Sequence, residues 1–366
     1  MSSQPRSHFV NDLIPLILEG DEHWWPRDLL RLAQVSSAWL VHARRRLFAV
    51  PSVHSFRACS RLARTLSENP ALLSLVKGVE LRPMVDCTPE DQRLGANAMA
   101  DLKFILQLEG LEVIVLGGHL AVKAERFLHS LGDPQSVRAL HIDGSLLVES
   151  LSYRPSLEWD ESFVFKLANM NKLCLTNIEL DITFPSISYQ LQLSELVLDN
   201  VTIVSGHISH LVNETPSLER LCIRSQTASD FGEQCQPVLA SCAVQTLELE
   251  VQTDLPSYSV VFADDLPHLL SLRCLHLTGI QVDVEILTLI GQKCRNLEEL
   301  SVLGRMVRVL PREWITFMKA GSPSSLRSIG LPWGTYHPPF AQWCCAARDS
   351  VFEAAALYDI MHQCPF

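Results

Sequence analysis

The chain has 366 residues, 47% of them hydrophobic and 19% charged, a balance that suits a folded protein and excludes a disordered one. A formal charge of -11 argues against a general nucleic-acid binder, and no uninterrupted apolar run approaches membrane-spanning length. The sign is unevenly spread: residues 1–66 hold nine arginines against five acidic residues, so the remainder carries -15, which predicts two parts with different partners.

Met1 to Ser7 lack the apolar core of a secretory signal. Phe9 to Phe48 then read as three short helices. Asn11 is placed to cap the first, which carries Leu13, Ile14, Ile17 and Leu18 on one side and is ended by Gly20. A turn over Glu22 to Pro26 leads to a second helix, opened by Arg27 or Asp28, with Leu29, Leu30, Leu32, Ala33 and Val35. The third holds Trp39, Leu40, Ala43 and Leu47. These apolar sets exceed what so small a bundle can hide, so part of them is expected to stay available to a partner helix.

The run Asp28-Leu29-Leu30-Arg31-Leu32-Ala33-Gln34-Val35-Ser36-Ser37-Ala38-Trp39, followed by Ala43-Arg44-Arg45-Arg46-Leu47-Phe48, resembles the second half of an F-box. Asp12-Leu13-Ile14 with Ile17-Leu18-Glu19 resembles its first helix. The resemblance implies an F-box-like module at residues 8–50 that docks on the Skp subunit of a Skp-cullin-F-box ubiquitin ligase. It also implies that Leu13, Ile14, Leu29, Leu30, Val35 and Trp39 form or support the docking surface. The chain departs from the family in two places: Phe9-Val10 stands where Leu-Pro is usual, and Pro15 falls in the first helix, where only an early position spares a hydrogen bond. Arg44 to Arg46 read as a solvated helix face.

The segment 51–70 reads as a connection: a turn at Pro51, a helix from Ser55 to Ser67 with Phe56, Cys59, Leu62, Ala63 and Leu66 at helical spacing, and a stop at Asn69-Pro70. Beyond it one spacing organises the chain, apolar at the first, fourth and sixth places of a hexamer, as in Leu297-Glu298-Glu299-Leu300-Ser301-Val302. Ten copies occur: Val76/Val79/Leu81, Leu111/Ile114/Leu116, Val137/Leu140/Ile142, Met170/Leu173/Leu175, Leu193/Leu196/Leu198, Leu218/Leu221/Ile223, Val244/Leu247/Leu249, Leu272/Leu275/Leu277, Leu297/Leu300/Val302 and Leu326/Ile329/Leu331. From Leu111 to Leu326 the starts lie 26, 33, 23, 25, 26, 28, 25 and 29 residues apart. That is the period of a leucine-rich repeat, in which a strand and a helical return form a unit that must stack to bury its apolar side. The predicted fold is α/β: the three-helix module, an irregular leucine-rich-repeat solenoid over residues 71–335 with a parallel sheet on its concave side, and a helical cap over residues 336–366.

Return helices are predicted from Leu120 to Leu131, around Ile208 to Val212 and from Ile286 to Cys294. The stretch Ile286 to Leu300 resembles the helix-to-strand passage of repeats that accompany F-boxes. Two long intervals, Arg82 to Leu111 with Cys87-Thr88-Pro89 and Asp143 to Met170 with Tyr153, Trp159 and Phe163, read as insertions in surface loops. Pro332-Trp333-Gly334 and His337-Pro338-Pro339 are turn-rich, and Gln342 to His362 reads as a closing helix.

Of eleven cysteines all but the adjacent Cys344-Cys345 sit one at a time, as Cys174 and Cys222 do within repeat strands, and none forms a CxxC pair, which predicts free thiols in the reducing cytoplasm or nucleus. Cys344-Cys345, with His337, His362 and Cys364 nearby, lacks the spacing of structural zinc sites, and no metal or cofactor is expected. GxSxG, GxxxxGKS/T, HExxH and GxGxxG are all missing, so no catalysis is expected.

The third, fifth and seventh residues of each copy point away from the core. This places Glu80, Arg82, His141, Asp143, Asp199, Arg220, Arg224, Glu248, Glu250, His276 and Glu299 on the concave face. His141, Asp143, Asp199, Arg220, Arg224, Glu248, Glu250 and His276 make up the expected substrate-binding set, with a protein segment of complementary charge lying over the basic Arg220 and Arg224 and the acidic Glu248 and Glu250. The expected function is a non-catalytic adaptor that joins the Skp subunit and cullin core to a protein substrate, without nucleic acid or membrane. The alternative is a repeat scaffold whose N-terminal helices only cap it.

Overall fold

All thirty apolar positions of the ten hexamers are buried in the computed structural model of the chain, none more than 7% exposed. On a strand the fourth and sixth residues point to one face, and each buried aliphatic side chain contributes roughly 1.5–3 kcal/mol. The structure describes residues 8–19, 24–84, 95–183, 191–212, 217–226, 231–252, 269–304, 307–331 and 343–363. Gly20, Glu22, Cys87-Thr88-Pro89, Pro332-Trp333-Gly334, His337-Pro338-Pro339 and Cys364, singled out above, lie outside them. The chain divides into two units, residues 1–142 and 143–366.

In the first unit, α1 (His8–Glu19), α2 (Pro26–Leu32) and α3 (Ser37–Ala49) enclose Ile14, Leu18 and Leu29, with Trp24, Leu32, Ala38, Trp39 and Leu47 packed against them. Ser36 caps α3, its hydroxyl accepting from the Trp39 N–H at 3.4 Å. Pro26 opens α2, where a missing N–H costs nothing. α1 begins before Asn11, so Asn11 is not its cap and Pro15 lies inside the helix. Proline there forfeits the bond to the Asn11 carbonyl, and burial of Ile14 and Leu18 on either side holds the helix across the gap. α2 stops at Leu32, which leaves Val35 on the turn that follows.

The connection contains a strand that the hexamer pattern does not register, β1 (Ser52–Ser55), ahead of α4 (Phe56–Glu68). Ser55 caps α4 by accepting from the Ala58 N–H at 3.2 Å, and Cys59, Leu62, Ala63 and Leu66 are buried as expected. β1 pairs in parallel with β2 (Gly78–Met84), Val53 opposite Leu81, so the stack starts at residue 52 rather than 71. α5 (Gly95–Leu106) follows, with Leu102, Ile105 and Leu106 buried; this end of the Arg82 to Leu111 interval is a return helix and not a surface loop. β3 (Val113–Gly117), α6 (Ala124–His129) behind a 3-10 turn over Gly118–Lys123, and β4 (Ala139–Asp143) complete the order β1-β2-β3-β4.

The second unit runs α7 (Ser145–Leu151), β5 (Ser156–Trp159), α8 (Glu161–Lys166), β6 (Lys172–Thr176), β7 (Glu179–Ile182), β8 (Glu195–Asp199), β9 (Thr202–Ser205), α9 (Ile208–Val212) and β10 (Arg220–Ser225). It continues through α10 (Phe231–Ser241), β11 (Thr246–Val251), β12 (Cys274–Thr278), α11 (Val284–Lys293), β13 (Glu299–Leu303), α12 (Pro311–Thr316), β14 (Ser328–Gly330), α13 (Cys345–Leu357) and β15 (Met361–Gln363). The parallel order is β6-β8-β10-β11-β12-β13-β14-β15. Leu173, Leu196, Leu221, Leu247, Leu275, Leu300 and Ile329 fall in one register row across it.

Three expectations are corrected here. The Asp143 to Met170 interval is not a loop: Trp159 and Phe163, 5.9 Å apart between ring centres, are buried in β5 and α8. β5, β7 and β9 form a separate parallel sheet whose short alternations, Leu157/Trp159 and Leu180/Ile182, fall outside the hexamer spacing. The closing helix is shorter than expected, because the chain turns after Leu357 to add β15 alongside β14.

The eighth place of five copies, Gly118, Asn177, Asn200, Gly279 and Gly304, turns the backbone left-handed at φ of 54°, 53°, 53°, 71° and 107°. Glycine, and to a lesser degree asparagine, tolerates this conformation. A Cβ at Gly279 would meet the Val251 carbonyl oxygen at 2.2 Å. From these places the N–H groups of Asn177, Asn200 and Gly279 donate to the carbonyls of Asp199, Arg224 and Leu303, at 2.7, 2.7 and 2.9 Å. Each acceptor is the seventh residue of the next copy, so the turn fixes where that residue's side chain stands.

Candidate interaction surfaces

The apolar residues of the three-helix module divide into two sets. Ile14 and Leu29 are core residues, 1% and 5% exposed, and Trp39 is half-buried against that core. Of the two roles expected for them, forming the surface or supporting it, burial against Leu18 leaves Ile14 and Leu29 the second. Leu13, Leu30 and Val35 stand in solvent, Leu30 52% and Val35 65% exposed. Leu16, Ile17 and Trp25 are exposed beside them in sequence, and Leu16 and Trp25 went unread because one follows a proline and the other precedes one. Soluble surfaces rarely leave so many large apolar groups uncovered unless something docks there.

On the second unit the outward-facing side chains form rows across the sheet. The third places of successive copies are Lys172, Glu195, Arg220, Thr246, Cys274 and Glu299; the fifth are Cys174, Val197, Cys222, Glu248, His276 and Ser301; the seventh are Thr176, Asp199, Arg224, Glu250 and Thr278. Opposite charges alternate in the third- and seventh-place rows and close on one another within and between rows. Glu195 accepts from Lys172 at 2.9 Å and from Arg220 at 3.0 Å, while Arg220 also donates to Glu248 through Nη2 at 2.9 Å and Nε at 3.2 Å. Arg224 lies 3.1 Å from Glu250 and 3.6 Å from Asp199, and His276 Nε2 lies 3.1 Å from Glu299.

This pairing corrects the expected basic spot. Arg220 and Arg224 are each held between two carboxylates, so the middle of the sheet presents alternating hydrogen-bonding groups rather than a patch of one sign. Burial works against the charge of Arg220, but Glu248 and Glu195 outweigh it and hold its pKa above the ordinary value. Between the two arginines Cys222 is buried; desolvation first, then Glu248, pushes its thiol up to about 12, so it is not a nucleophile. Lys172 and Glu195 belong to the network and were missed, although they occupy the same third place that identified Arg220.

One residue leaves the expected set. Asp143 is buried, and its carboxylate accepts from the Ser145 N–H at 2.9 Å, an anchor for the turn into α7. His141 is half-buried on β4, at the fifth place of its copy. Among the described residues no group of three His, Cys, Asp or Glu could hold a metal ion, and no helix is long and apolar enough to cross a membrane.

No protein-family model matches the chain, and no curated protein matches it. Among solved structures it is similar to a leucine-rich-repeat protein of Leptospira interrogans, at 17% identity and a TM-score of 0.38, over 82% of this chain and 68% of that one. A likeness that loose says nothing of what either protein binds.

Proposed function

We propose that the chain is a non-catalytic adaptor: its N-terminal helices dock on the Skp subunit of a Skp-cullin-F-box ubiquitin ligase, and its repeat face holds a protein substrate. The observation that carries this reading is the set Leu13, Leu30 and Val35, left in solvent by a bundle that closes its core over Ile14, Leu18 and Leu29. An apolar face of this kind fits a partner helix, the mode of docking that the F-box resemblance implies. The rows on the second unit fit a substrate recognised by many matched hydrogen bonds, since their charges are already neutralised in place.

The test is co-purification with recombinant Skp subunit. The intact chain is expected to retain it, while Leu30→Glu with Val35→Glu, and a chain lacking residues 1–50, lose it with an unchanged thermal midpoint for the point variant. Failure of the intact chain to retain the subunit overturns the adaptor reading and leaves a repeat interaction scaffold.

A further inference from the structure

A concave surface of the first unit has a different chemistry from the exposed Leu30 and Val35. α3, the 3-10 turn over Pro70–Leu75 and the residues leading into β2 enclose a cavity of about 480 Å³. That lies within the roughly 300–1,000 Å³ typical of binding pockets. The Lys77 N–H donates to the Ala49 carbonyl at 2.8 Å, which ties the end of α3 to the approach of β2 and fixes the walls relative to each other. The accessible apolar part is Val41, 63% exposed although it is β-branched and fully apolar, and the half-buried Leu75, while Leu72 is buried. The rim is Arg44, Arg45 and Lys77, all exposed.

No lining residue is acidic, and none of these three cations is paired with a carboxylate among the described residues. This contrasts with the arginines of the second unit, each of which has two carboxylate partners. In a chain of formal charge -11, a cluster of three unpaired cations around an apolar floor is selective in two ways. It attracts carboxylates, and it favours those that bring an apolar side chain to cover Val41 and Leu75.

We propose that this groove binds an acidic protein segment that inserts an apolar side chain between α3 and the Pro70–Leu75 turn, with flanking carboxylates on Arg44, Arg45 and Lys77. The site is independent of the Skp reading, since it uses none of Leu13, Leu30 or Val35. Three cations in one spot are too few and too compact for a nucleic-acid track, and the apolar floor would stay uncovered under a phosphate backbone.

The probe is a fluorescein-labelled peptide of about twelve residues, glutamates on both sides of a central Leu-Phe, titrated with the full chain and followed by anisotropy. Saturable binding is expected, weakened about tenfold or more by Lys77→Glu, by Arg44→Glu with Arg45→Glu, and by Val41→Asp, at unchanged thermal midpoints. It should also weaken between about 50 and about 500 mM NaCl. A peptide with Ser-Ser in place of Leu-Phe is expected to lose most of the affinity. Equal binding of that peptide, equal binding by the charge-reversed chains, absence of saturation, or a preference for duplex DNA or anionic vesicles each overturns the assignment. The Leu30→Glu, Val35→Glu chain should bind the peptide as the native chain does, so that failure of the Skp reading and failure of this one show up in different lanes.

Discussion

The ten repeat strands and the three N-terminal helices treat apolar residues differently. In the strands every apolar position of the pattern goes inside, whereas α1 to α3 bury Ile14, Leu18 and Leu29 and leave Leu13, Leu16, Ile17, Leu30 and Leu40 out. The difference teaches where each surface gets its specificity. A stacked strand has a neighbour on both sides to take its apolar face, so what it offers a partner is polar. A small bundle has no such neighbour, and what it offers is grease.

The largest expected contrast is with alkali. Burial pushes the thiols of Cys59, Cys222, Cys235 and Cys294 from 9.0 up to about 12, and all four lie outside the three-helix module. The folded state favours the neutral thiol, so this stability is complete below pH 9 and lost as pH rises toward 12. Circular dichroism is expected to show the repeat region unfolding across that window, and a repeat region still intact at pH 12 would break the contrast. Next, Leu247→Ala is expected to cost about 2–5 kcal/mol in guanidinium unfolding, whereas Leu16→Ala stays within about 0.5 kcal/mol. Equal costs would mean that the helices hide their apolar face after all.

Gly279→Ala, which forces a side chain onto a φ of 71° and against the Val251 carbonyl, is expected to cost about 1–3 kcal/mol, while Asn200→Gly at the equivalent turn is close to neutral by thermal melting. The smallest effect belongs to Arg220→Ala. Its side chain is 44% exposed, solvent screens both ion pairs, and a loss under about 1 kcal/mol that shrinks with added salt is expected. A larger, salt-independent loss would make the charge rows a structural element rather than a surface.

The hexamers were legible because three apolar places in six leave little choice of face, and the register row from Leu173 to Ile329 follows from them. β1 and β15 were not, since Ser52-Val53-His54-Ser55 has a single apolar residue and Met361-His362-Gln363 is three residues long. The small β5-β7-β9 sheet alternates over four-residue strands, too short to separate from loops. For the interaction surfaces, the choice of outward places was readable but the pairing was not. Arg220 meets Glu195 and Glu248 across 25 and 28 residues of sequence, and only the strand register shows that a basic place falls between two acidic ones. In the helices, which of Leu29 and Leu30 faces inward depends on the packing of Ile14 and Leu18, which lie on another helix.

The four residues of β1 have a practical bearing on how the protein is cut for study. They pair with β2 from Glu80 to Met84, a border that would otherwise display open backbone hydrogen-bonding groups beside Val79, Leu81 and Met84, the kind of border on which foreign strands add. A shortened chain beginning at residue 71 strips that guard and should precipitate, whereas one beginning at residue 51 keeps it and should stay in solution.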